Sequence, residues 1–550
     1  MSFQSLADEF LAGEFETSPV RASQLGLTQF DDRVDDVSAA SFEQRDADAA
    51  KWLGRFDAVE RSELVPSEQI DLDLVRSVLR GRLILADWQN WRRDPATYTG
   101  VALDGIFTLF LHRLRPEPDL VASAIARMQE VPRVVREGTA NLDASLAHEL
   151  VLRRGAGAAR GGARYLRELV ALDVEPGPDR DRLAAAGAEA ATSLEAWAAH
   201  LDRLAGEATG TWQLGEERYT RLLREKELLD LDARGLREHG RAEYDRLAAE
   251  MAQVARRARG TDDWSTVIEE ASQDHPRTED EMREGYADWT ERARSFLAET
   301  GLVTLPPGER CLVEPSPVFQ RPVLGVASYM APPPFSSSWT GHFFVPFAPD
   351  GTPEAEIQQR LEANSWGDIP TTSVHEAYPG HHWHLVMHKL NPSAIRRTFR
   401  TPYFTEGWAL YAERMMRERG FFTEPIQELF HLNSTIFRAA RIIVDTSLHL
   451  GEMTFDEAVT FMQERAGLPE PTAKAEVGRY CSWPTQASAY LTGCLEILRI
   501  RREWLDRRGF EGVAPAEVPV ASLREFHDAI TESGALPLGL AERVMLAVGA

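Results

Sequence analysis

The stretch from Ser373 to Leu390, SVHEAYPGHHWHLVMHKL, decides how this chain is interpreted. It holds five of the 14 histidines of the chain: His375, His381, His382, His384 and His388. Neutral imidazole is the commonest side-chain ligand of zinc, and packing alone does not explain so dense a cluster beside the carboxylate of Glu376. We therefore predict a metal site in this stretch.

The spacing of these residues is close to a known zinc-binding pattern but does not match it. In H-E-x-x-H, two histidines four residues apart on one helix bind zinc, and the glutamate between them is the general base. His375 and Glu376 occupy the first two positions, but Pro379 stands where the second histidine would be. The next candidate, His381, lies six residues after His375.

Six residues of a straight helix advance about 9 Å and rotate about 240°, so His375 and His381 would point apart. They could not both reach one ion at ~2.1 Å unless the helix were interrupted. Pro379 removes a backbone N–H and clashes with the preceding turn, and Gly380 can adopt dihedral angles that other residues avoid. We therefore predict a widened turn at Tyr378 to Gly380 that brings the second imidazole back to the metal.

Outside this stretch the sequence predicts a mainly α fold with a small β-sheet. Apolar residues recur at helical spacing, as in the stripe of Leu194, Trp197, Leu201 and Leu204 and in that of Tyr244, Leu247, Met251 and Val254. Glycine and proline predict breaks at 155–162 (GAGAARGG, interpreted as a loop between helices), at 175–178 and at 260–264.

Residues 301–353 are rich in proline and contain short β-prone runs, 322–329 and 342–347. Prolines this dense forbid helix, so we predict a small sheet whose edge strand could hydrogen-bond an extended peptide. A purely structural hairpin is an equally good interpretation. We predict two lobes, a helical lobe at 1–300 and a catalytic lobe at 301–550, with a deep cleft and the sheet on its rim.

The composition argues against binding to nucleic acids. The chain of 550 residues carries 86 acidic and 61 basic side chains, which gives a net charge of −25 and a pI near 5.1. Binding to a polyanion requires a concentrated basic surface, and here repulsion from phosphates dominates. With 43% hydrophobic and 27% charged residues, the chain is typical of a globular protein with a large core.

The sequence also favours a cytoplasmic protein without a membrane partner. No stretch reaches the ~18 apolar residues of a membrane span, and the first residues, MSFQSLADEFLAGEFE, are acidic where a secretory signal would be basic and then apolar. The three cysteines, Cys311, Cys481 and Cys494, fit neither a disulfide framework nor a cysteine-based zinc site. We interpret them as buried thiols in a reducing compartment.

The motif HExxPGH at 375–381, followed 25 residues later by EGWA at 406–409, resembles the helical metallopeptidase family numbered 885 among domains of unknown function. Further residues match that family: Tyr329, Pro332 to Pro334, Gly341 to Phe344, Tyr411, Glu413, Arg438, Ala439, Arg441, Asp445, His449, Arg479, Tyr480, Pro484, Gln486, Ala487, Tyr490 and Gly493. Thr485 departs from the pattern, because the family more often has glycine there. The resemblance covers most of the chain, but its specific motifs lie between residues 329 and 493.

The resemblance implies that His375, His381 and Glu406 hold a zinc ion and leave a fourth position for water. Glu376 would take a proton from that water as general base and return it to the leaving amine. The gap of 25 residues supports Glu406, because it lets a second helix return alongside the first. Glu413 is the alternative ligand, or otherwise a partner that orients a histidine.

Two further roles are hypotheses. Tyr490 or Tyr480 could donate a hydrogen bond to the oxyanion that develops during amide hydrolysis, although a buried structural tyrosine is the commoner case. Arg438, Arg441 and Arg479 could bind the terminal carboxylate of a peptide through bidentate hydrogen bonds.

Alternatives stay open for both the ligands and the function. His384 and His388, four apart on an unbroken helix, could form a rival site with Glu406, and a one-residue slip would exchange His381 for His382. The resemblance implies a zinc-dependent hydrolase of short peptides, and carboxypeptidase action is our first choice. The alternatives are a hydrolase of non-peptide amides or acylated amino acids, and a non-catalytic metal-binding protein.

Overall fold

The computed structural model describes residues 2–318, 320–321, 325–349 and 351–547. Within them the fold is mainly α with one small sheet, which confirms the predicted fold class. The chain divides into two compact units: Met1–Trp212 with Val318–Val323 and Pro332–Ser338, and Gln213–Pro317 with Leu324–Ala331 and Trp339–Ala550. The predicted lobes, 1–300 and 301–550, stay a prediction, because compactness does not say which residues share a function.

In its described residues, the first unit contains eight α-helices and short helical turns. The α-helices are α1 (Phe3–Thr17), α2 (Pro19–Gln24), α3 (Ala39–Asp57), α4 (Pro66–Trp88), α5 (Ala96–His112), α6 (Glu117–Asn141), α7 (Glu149–Arg164) and α8 (Pro178–Glu207). The predicted stripe on α8 is buried, because Leu194, Trp197 and Leu201 lie in the core with no more than 1% exposure. Helical periodicity therefore identified the inner face of α8 correctly.

The interpretation of GAGAARGG as a loop is wrong, because residues 155–162 lie inside helix α7. Two of its glycines permit close packing that a side chain would block. A Cβ atom on Gly155 would lie 2.2 Å from Pro95, and one on Gly162 would lie 2.3 Å from Leu103. The two glycines therefore allow close packing of α7 against its neighbours, and the alanines between them favour helix formation.

The second unit contains the remaining fifteen described α-helices and the three described strands. The helices are α9 (Glu216–Arg221), α10 (Ala233–Arg259), α11 (Trp264–Ser272), α12 (Glu279–Thr300), α13 (Glu354–Glu362), α14 (Ile369–Glu376), α15 (His381–Lys389), α16 (Ala394–Thr398), α17 (Pro402–Glu418), α18 (Pro425–His449), α19 (Phe455–Ala466), α20 (Glu470–Ser482), α21 (Gln486–Asp506), α22 (Val520–Glu532) and α23 (Leu538–Ala547). The strands are β1 (Arg310–Pro315), β2 (Ser328–Met330) and β3 (Thr340–Val345). The second predicted stripe packs inward from α10, where Leu247, Met251 and Val254 are buried.

The small sheet has the order β1-β3-β2, with β1 parallel and β2 antiparallel to β3. A sheet was predicted in this proline-rich segment, and the run at 342–347 overlaps β3. The other run, 322–329, meets β2 only at its end, and its residues 322–324 lie outside the described part. Tyr329, in the middle of β2, pairs with Phe343 of β3.

The helix is interrupted between His375 and His381, as their spacing predicted. Helix α14 ends at Glu376, the peptide bond between Tyr378 and Pro379 is cis, and α15 begins at His381. Gly380 passes so close to the end of α14 that a Cβ atom there would lie 1.9 Å from the carbonyl oxygen of His375. Only glycine fits this turn, and the turn sets the direction of α15.

Helices α17 and α21 cross with their backbones in contact. A Cβ atom on Gly407 would lie 2.5 Å from the Cα atom of Gly493, and one on Gly493 would lie 1.9 Å from the carbonyl oxygen of Tyr403. The glycine of the EGWA motif therefore lets α21 approach α17. This contact brings Tyr490, on α21, near Glu406, on α17.

Candidate metal centre

The turn between α14 and α15 brings three side chains from separate helices together. His375, His381 and Glu406 each offer one ligand atom, and these atoms all lie within 4.8 Å of one another. Glu406 Oε2 lies 3.6 Å from Nε2 of His375 and 3.3 Å from Nε2 of His381. No other group of three potential ligands converges in this way within the described part of the chain.

The spacing and the chemistry of these donors fit a zinc ion. Two ligand atoms at ~2.1 Å from one ion in a tetrahedral arrangement are about 3.4 Å apart, close to both measured distances. Two imidazole nitrogens and one carboxylate oxygen are a donor set found in catalytic zinc sites. The assignment of His375, His381 and Glu406 as ligands stays a prediction, and their geometry agrees with it.

Glu413 lies behind the ligands rather than among them. Its fully buried carboxylate accepts hydrogen bonds from Nδ1 of His375 at 2.7 Å and Nδ1 of His431 at 3.1 Å. Because a carboxylate only accepts, Nδ1 of His375 carries the hydrogen, and Nε2 presents its lone pair when the ring is neutral. Glu413 thus has the geometry of a partner that orients a histidine ligand.

The electrostatics of this cluster favour a bound cation. Burial disfavours charge on His375, but the neighbouring carboxylates of Glu406 and Glu413 outweigh burial and raise the pKa of His375 to about 9. Burial likewise opposes the charge of the two glutamates, yet the histidines hold the pKa of Glu406 well below its usual range and that of Glu413 at about 2. Both carboxylates are therefore ionised at neutral pH.

Glu376, the predicted general base, ends α14 beside the ligand His375. Burial raises the pKa of Glu376, although the charges of His375 and His381 oppose this. A carboxylate with a raised pKa takes up and releases a proton nearer neutral pH than an exposed glutamate does. Its environment therefore suits proton transfer.

His382, the alternative to His381, is engaged elsewhere. Its side chain is fully buried, and Nε2 donates to Glu309 at 2.7 Å, so the neutral ring accepts the Tyr329 hydroxyl at Nδ1, 2.8 Å away. Glu309 also accepts hydrogen bonds from Tyr378 and Arg294. Since both ring nitrogens of His382 are occupied, the structure does not bring it to the three converging ligands.

The rival site formed by His384, His388 and Glu406 is not assembled. His388 donates through Nε2 to the carbonyl oxygen of Arg396 at 2.6 Å. His384 is buried, with its ring centre 5.9 Å from that of His381 and Nδ1 3.3 Å from the carbonyl oxygen of Gly380. Burial lowers the pKa of both imidazoles, which reaches about 4 for His388.

Tyr480 and Tyr490 differ in the hydrogen bonds of their hydroxyl groups. The Tyr480 hydroxyl donates to Glu476 at 2.6 Å and accepts from Nε of Arg441 at 3.1 Å. Arg441 and Arg479 both donate to the same Glu476 carboxylate, at 2.8 and 2.9 Å. These two arginines and Tyr480 therefore form a network in which their polar groups are already bonded.

Among the described residues, Tyr490 and Arg438 lack such carboxylate partners, and their charges or dipoles interact with Glu406 and Glu376, respectively. The Tyr490 hydroxyl accepts from Gln486 at 3.3 Å, and in the described part of the chain its own hydrogen has no acceptor. Arg438 bonds only to Ser434, its Nε is buried without a partner, and its charge acts on Glu376. The guanidinium of Arg438 lies 6.0 Å from the centre of the Tyr490 ring.

Sequence reasoning missed the roles of Tyr329, Glu309 and His431. Tyr329 stacks on His381, with ring centres 6.4 Å apart, and bonds to His382. Tyr329 had a signal, because it matches the family pattern. Glu309 and His431 carried none, because isolated acidic or histidine residues far along the chain become partners only through the fold.

The chain belongs to a known bacterial family. The sequence model of the family described as "Bacterial protein of unknown function (DUF885)" matches residues 19–545. This match shows the family that the motifs indicated, and the family's description assigns no activity. A search of curated proteins found no significant match.

Solved structures show the same fold. A "putative lipoprotein of unknown function" from Shewanella oneidensis is 21% identical, with a TM-score of 0.79 over 99% of this chain and 100% of that chain. A "putative lipoprotein" from Colwellia psychrerythraea is 19% identical, with a TM-score of 0.81 over 99% of both chains. At these identities the likeness shows the fold alone.

These descriptions contradict the predicted cytoplasmic location, and that prediction is wrong. Within the described residues, no helix combines the length and the apolar character needed to cross a bilayer. The prediction rested on the lack of such a span and on the acidic first residues. A lipoprotein, as both neighbours are described, is held by acyl chains and needs no apolar span.

Proposed function

We propose that this protein is a zinc-dependent hydrolase that cleaves peptide bonds of short peptides and acts as a carboxypeptidase. The observation that carries the proposal is the convergence of His375, His381 and Glu406 beside Glu376. Two imidazoles and a carboxylate hold zinc, and an adjacent buried glutamate supplies a base. The same four residues match the motifs of the family.

His375, His381 and Glu406 would hold the zinc, with Glu413 fixing the ring of His375. Bound zinc acts as a Lewis acid that polarises a carbonyl group and makes water a stronger acid. Glu376 takes the proton of the attacking water and delivers it to the nitrogen of the leaving amine. Its raised pKa suits both transfers.

Tyr490 would stabilise the oxyanion that develops on the scissile carbonyl. Its hydroxyl hydrogen is uncommitted among the described residues, whereas the hydroxyl of Tyr480 donates to Glu476. A phenol donates a hydrogen bond without adding charge, and one such donor is worth roughly 100-fold in rate. We therefore assign the donor role to Tyr490 and a supporting role to Tyr480.

Arg438 would bind the terminal carboxylate of the substrate. Arg441 and Arg479 share Glu476, so a substrate would have to displace an internal carboxylate to reach them. Arg438 has no carboxylate partner in the described part of the chain, and its charge reaches Glu376. A substrate carboxylate bound there places the leaving residue beside the general base.

The test compares metal-loaded protein with its Glu376→Gln variant on a library of short peptides. Each peptide is offered with a free and with an amidated C-terminus, and acylated amino acids are included. We expect release of C-terminal residues from free peptides only. Glu376→Gln should lower kcat by at least ~1000-fold while zinc content stays near one per chain, since glutamine cannot accept the proton.

Three outcomes contradict the proposal. Cleavage of acylated amino acids alone would make the protein an amidohydrolase. Equal cleavage of free and amidated peptides would remove the carboxypeptidase assignment. A zinc-loaded protein without turnover on any substrate would support a metal-binding role.

A further inference from the structure

Arg400 is an accessible cation that the sequence motifs did not single out. It lies in the short connection between α16 and α17, two residues before the start of α17. Its neighbours fix the backbone: the N–H of Phe399 donates to Ile395, and the N–H of Thr401 donates to Ala535. The side chains of Phe399 and Thr401 are buried, whereas that of Arg400 is exposed. A rigid connection therefore presents a solvent-accessible guanidinium.

Arg400 has no internal partner in the part of the chain that the structure describes, because no hydrogen bond or ion pair engages its side chain there. By contrast, Arg441 and Arg479 are both held by Glu476, and Arg501 is held by Glu418. An unpaired arginine can bind a ligand carboxylate without first losing an internal ion pair.

The charge of Arg400 acts on residues of the metal centre. It interacts electrostatically with Glu406 and Tyr329, and it also acts on His384. Arg400 lies just before α17, and Glu406 lies in the second turn of that helix, so the two residues are close in the fold.

Arg400 and Arg438 act on different residues of the metal centre. Arg438 acts on the general base Glu376, whereas Arg400 acts on the ligand Glu406 and on Tyr329 of the sheet. Because Glu376 would protonate the leaving amine, the residue that leaves would lie beside Glu376, where the charge of Arg438 acts. With Arg438 engaged by the terminal carboxylate, Arg400 is left for an acidic side chain in the part of the substrate that precedes the cleaved bond.

We propose that Arg400 binds a carboxylate side chain of the substrate on the N-terminal side of the cleaved bond, so that the protein prefers peptides with Asp or Glu there. This inference rests on the proposed function for the direction of the peptide. A guanidinium and a carboxylate form two parallel hydrogen bonds, which discriminate an acid from its amide of the same shape.

The experiment measures binding separately from turnover. Zinc-loaded full-length protein carrying Glu376→Gln is titrated by calorimetry with two peptides that differ only by Glu or Gln before the C-terminal residue. We expect the Glu peptide to bind at least ~10-fold more tightly. Adding Arg400→Gln should abolish this preference and leave the Gln peptide within about twofold, while Arg400→Lys should retain part of it.

The control is Arg502→Gln, which removes another exposed arginine of the second unit that no described residue pairs with. It should leave the preference for the Glu peptide unchanged. The inference is overturned if protein with Arg400 binds both peptides equally, if it binds neither, or if Arg400→Gln weakens both to the same extent.

Cleavage of the same peptides by protein with Glu376 intact separates the two proposals. A binding preference for the Glu peptide without any cleavage would refute the hydrolase assignment and support the Arg400 site. Cleavage of both peptides with equal kcat/KM would support the hydrolase and refute the Arg400 site.

Discussion

His381 and His382 are adjacent in the chain, yet their side chains lie in two different regions: the metal centre and a buried network around Glu309. His381 directs Nε2 toward Glu406, among three ligand atoms that converge. His382 is fully buried, with one nitrogen bonded to Glu309 and the other to Tyr329. In the first region ring nitrogens converge with a carboxylate oxygen, whereas in the second both ring nitrogens of His382 are bonded internally.

This difference gives a criterion for predicting which histidines bind a metal and which are structural. Burial does not do so, because His375 is also buried. What distinguishes His375 is that only Nδ1 has a full hydrogen bond, to Glu413, while Nε2 is directed at the ligand cluster. A histidine with a second internal acceptor or donor, such as His382, is committed to the fold.

The largest expected effect is the contrast between alanine substitutions of His381 and His382. His381→Ala should weaken zinc binding more than ~100-fold, which exceeds the usual effect of losing a partner behind a ligand. It should change the unfolding free energy of the metal-free protein by only about 1 kcal/mol. His382→Ala should show the reverse, with a loss of about 2 to 4 kcal/mol from a cavity and a lost charged hydrogen bond.

Zinc affinity by competition with a chelator and urea unfolding of metal-free protein measure the two quantities. If His382→Ala weakened zinc binding as much as His381→Ala, His382 would be a ligand and the distinction would fail. If both variants lost equal stability and kept zinc, neither histidine would be a ligand.

The second prediction concerns the partner behind a ligand. Glu413→Gln keeps the shape of the side chain but removes the charge that fixes Nδ1 of His375. We expect zinc affinity to fall about 10- to 100-fold, because outer partners orient ligands and raise their basicity. Glu309→Gln is the matched control in the other region. It should leave zinc affinity within about threefold and lower stability instead.

Sequence reasoning selected the three residues that converge because they lie in short motifs with a stated chemistry. The interruption at Pro379 and Gly380 followed from helix geometry, and the structure contains it. The partners Glu309 and His431 could not be predicted, because they reach His382 and Glu413 through folding over 73 and 18 residues. Periodicity identified helix faces, but it could not tell a glycine loop from the closely packed helix α7.

A second histidine whose ring nitrogens are both bonded within the fold, His527, predicts acid sensitivity. It accepts from the Tyr411 hydroxyl at Nε2, at 2.7 Å, and donates through Nδ1 to the carbonyl oxygen of Leu302 at 2.8 Å. Burial lowers the pKa of His527 to about 3. Below pH ~6.5, His527 is protonated in the unfolded chain but stays neutral in the folded chain. The free energy of unfolding therefore decreases as pH falls from ~6.5 toward ~3.

The contribution of His527 amounts to about 2 kcal/mol lost between pH 6.5 and 5. His527→Gln can donate and accept similar hydrogen bonds but does not titrate. It should therefore show a shallower decrease of unfolding free energy with falling pH, by about that amount, in urea titrations of metal-free protein. Parallel pH profiles for the two proteins would show that His527 titrates in the fold as it does in the unfolded chain.

The smallest expected effect concerns strain in the region of the metal centre. Thr485, where the family more often has glycine, precedes α21 in a left-handed conformation with φ +69°. This conformation costs a residue with a Cβ atom about 1 to 2 kcal/mol, which the greater entropy of glycine in the unfolded chain partly offsets. Thr485→Gly should raise the unfolding free energy by about 0.5 to 1 kcal/mol.

Thr485→Ala is the control, because it keeps the Cβ atom and should give no gain in urea unfolding. Strained backbone is concentrated at functional sites, and α21 also carries Tyr490, so the relief of strain tests whether the strain serves catalysis. If the strained backbone has no role in catalysis, Thr485→Gly should leave kcat within about twofold of that of the unsubstituted protein. A gain in stability with a larger fall in kcat would instead place this backbone conformation among the features that position Tyr490. An equal gain from Thr485→Ala would remove strain as the cause.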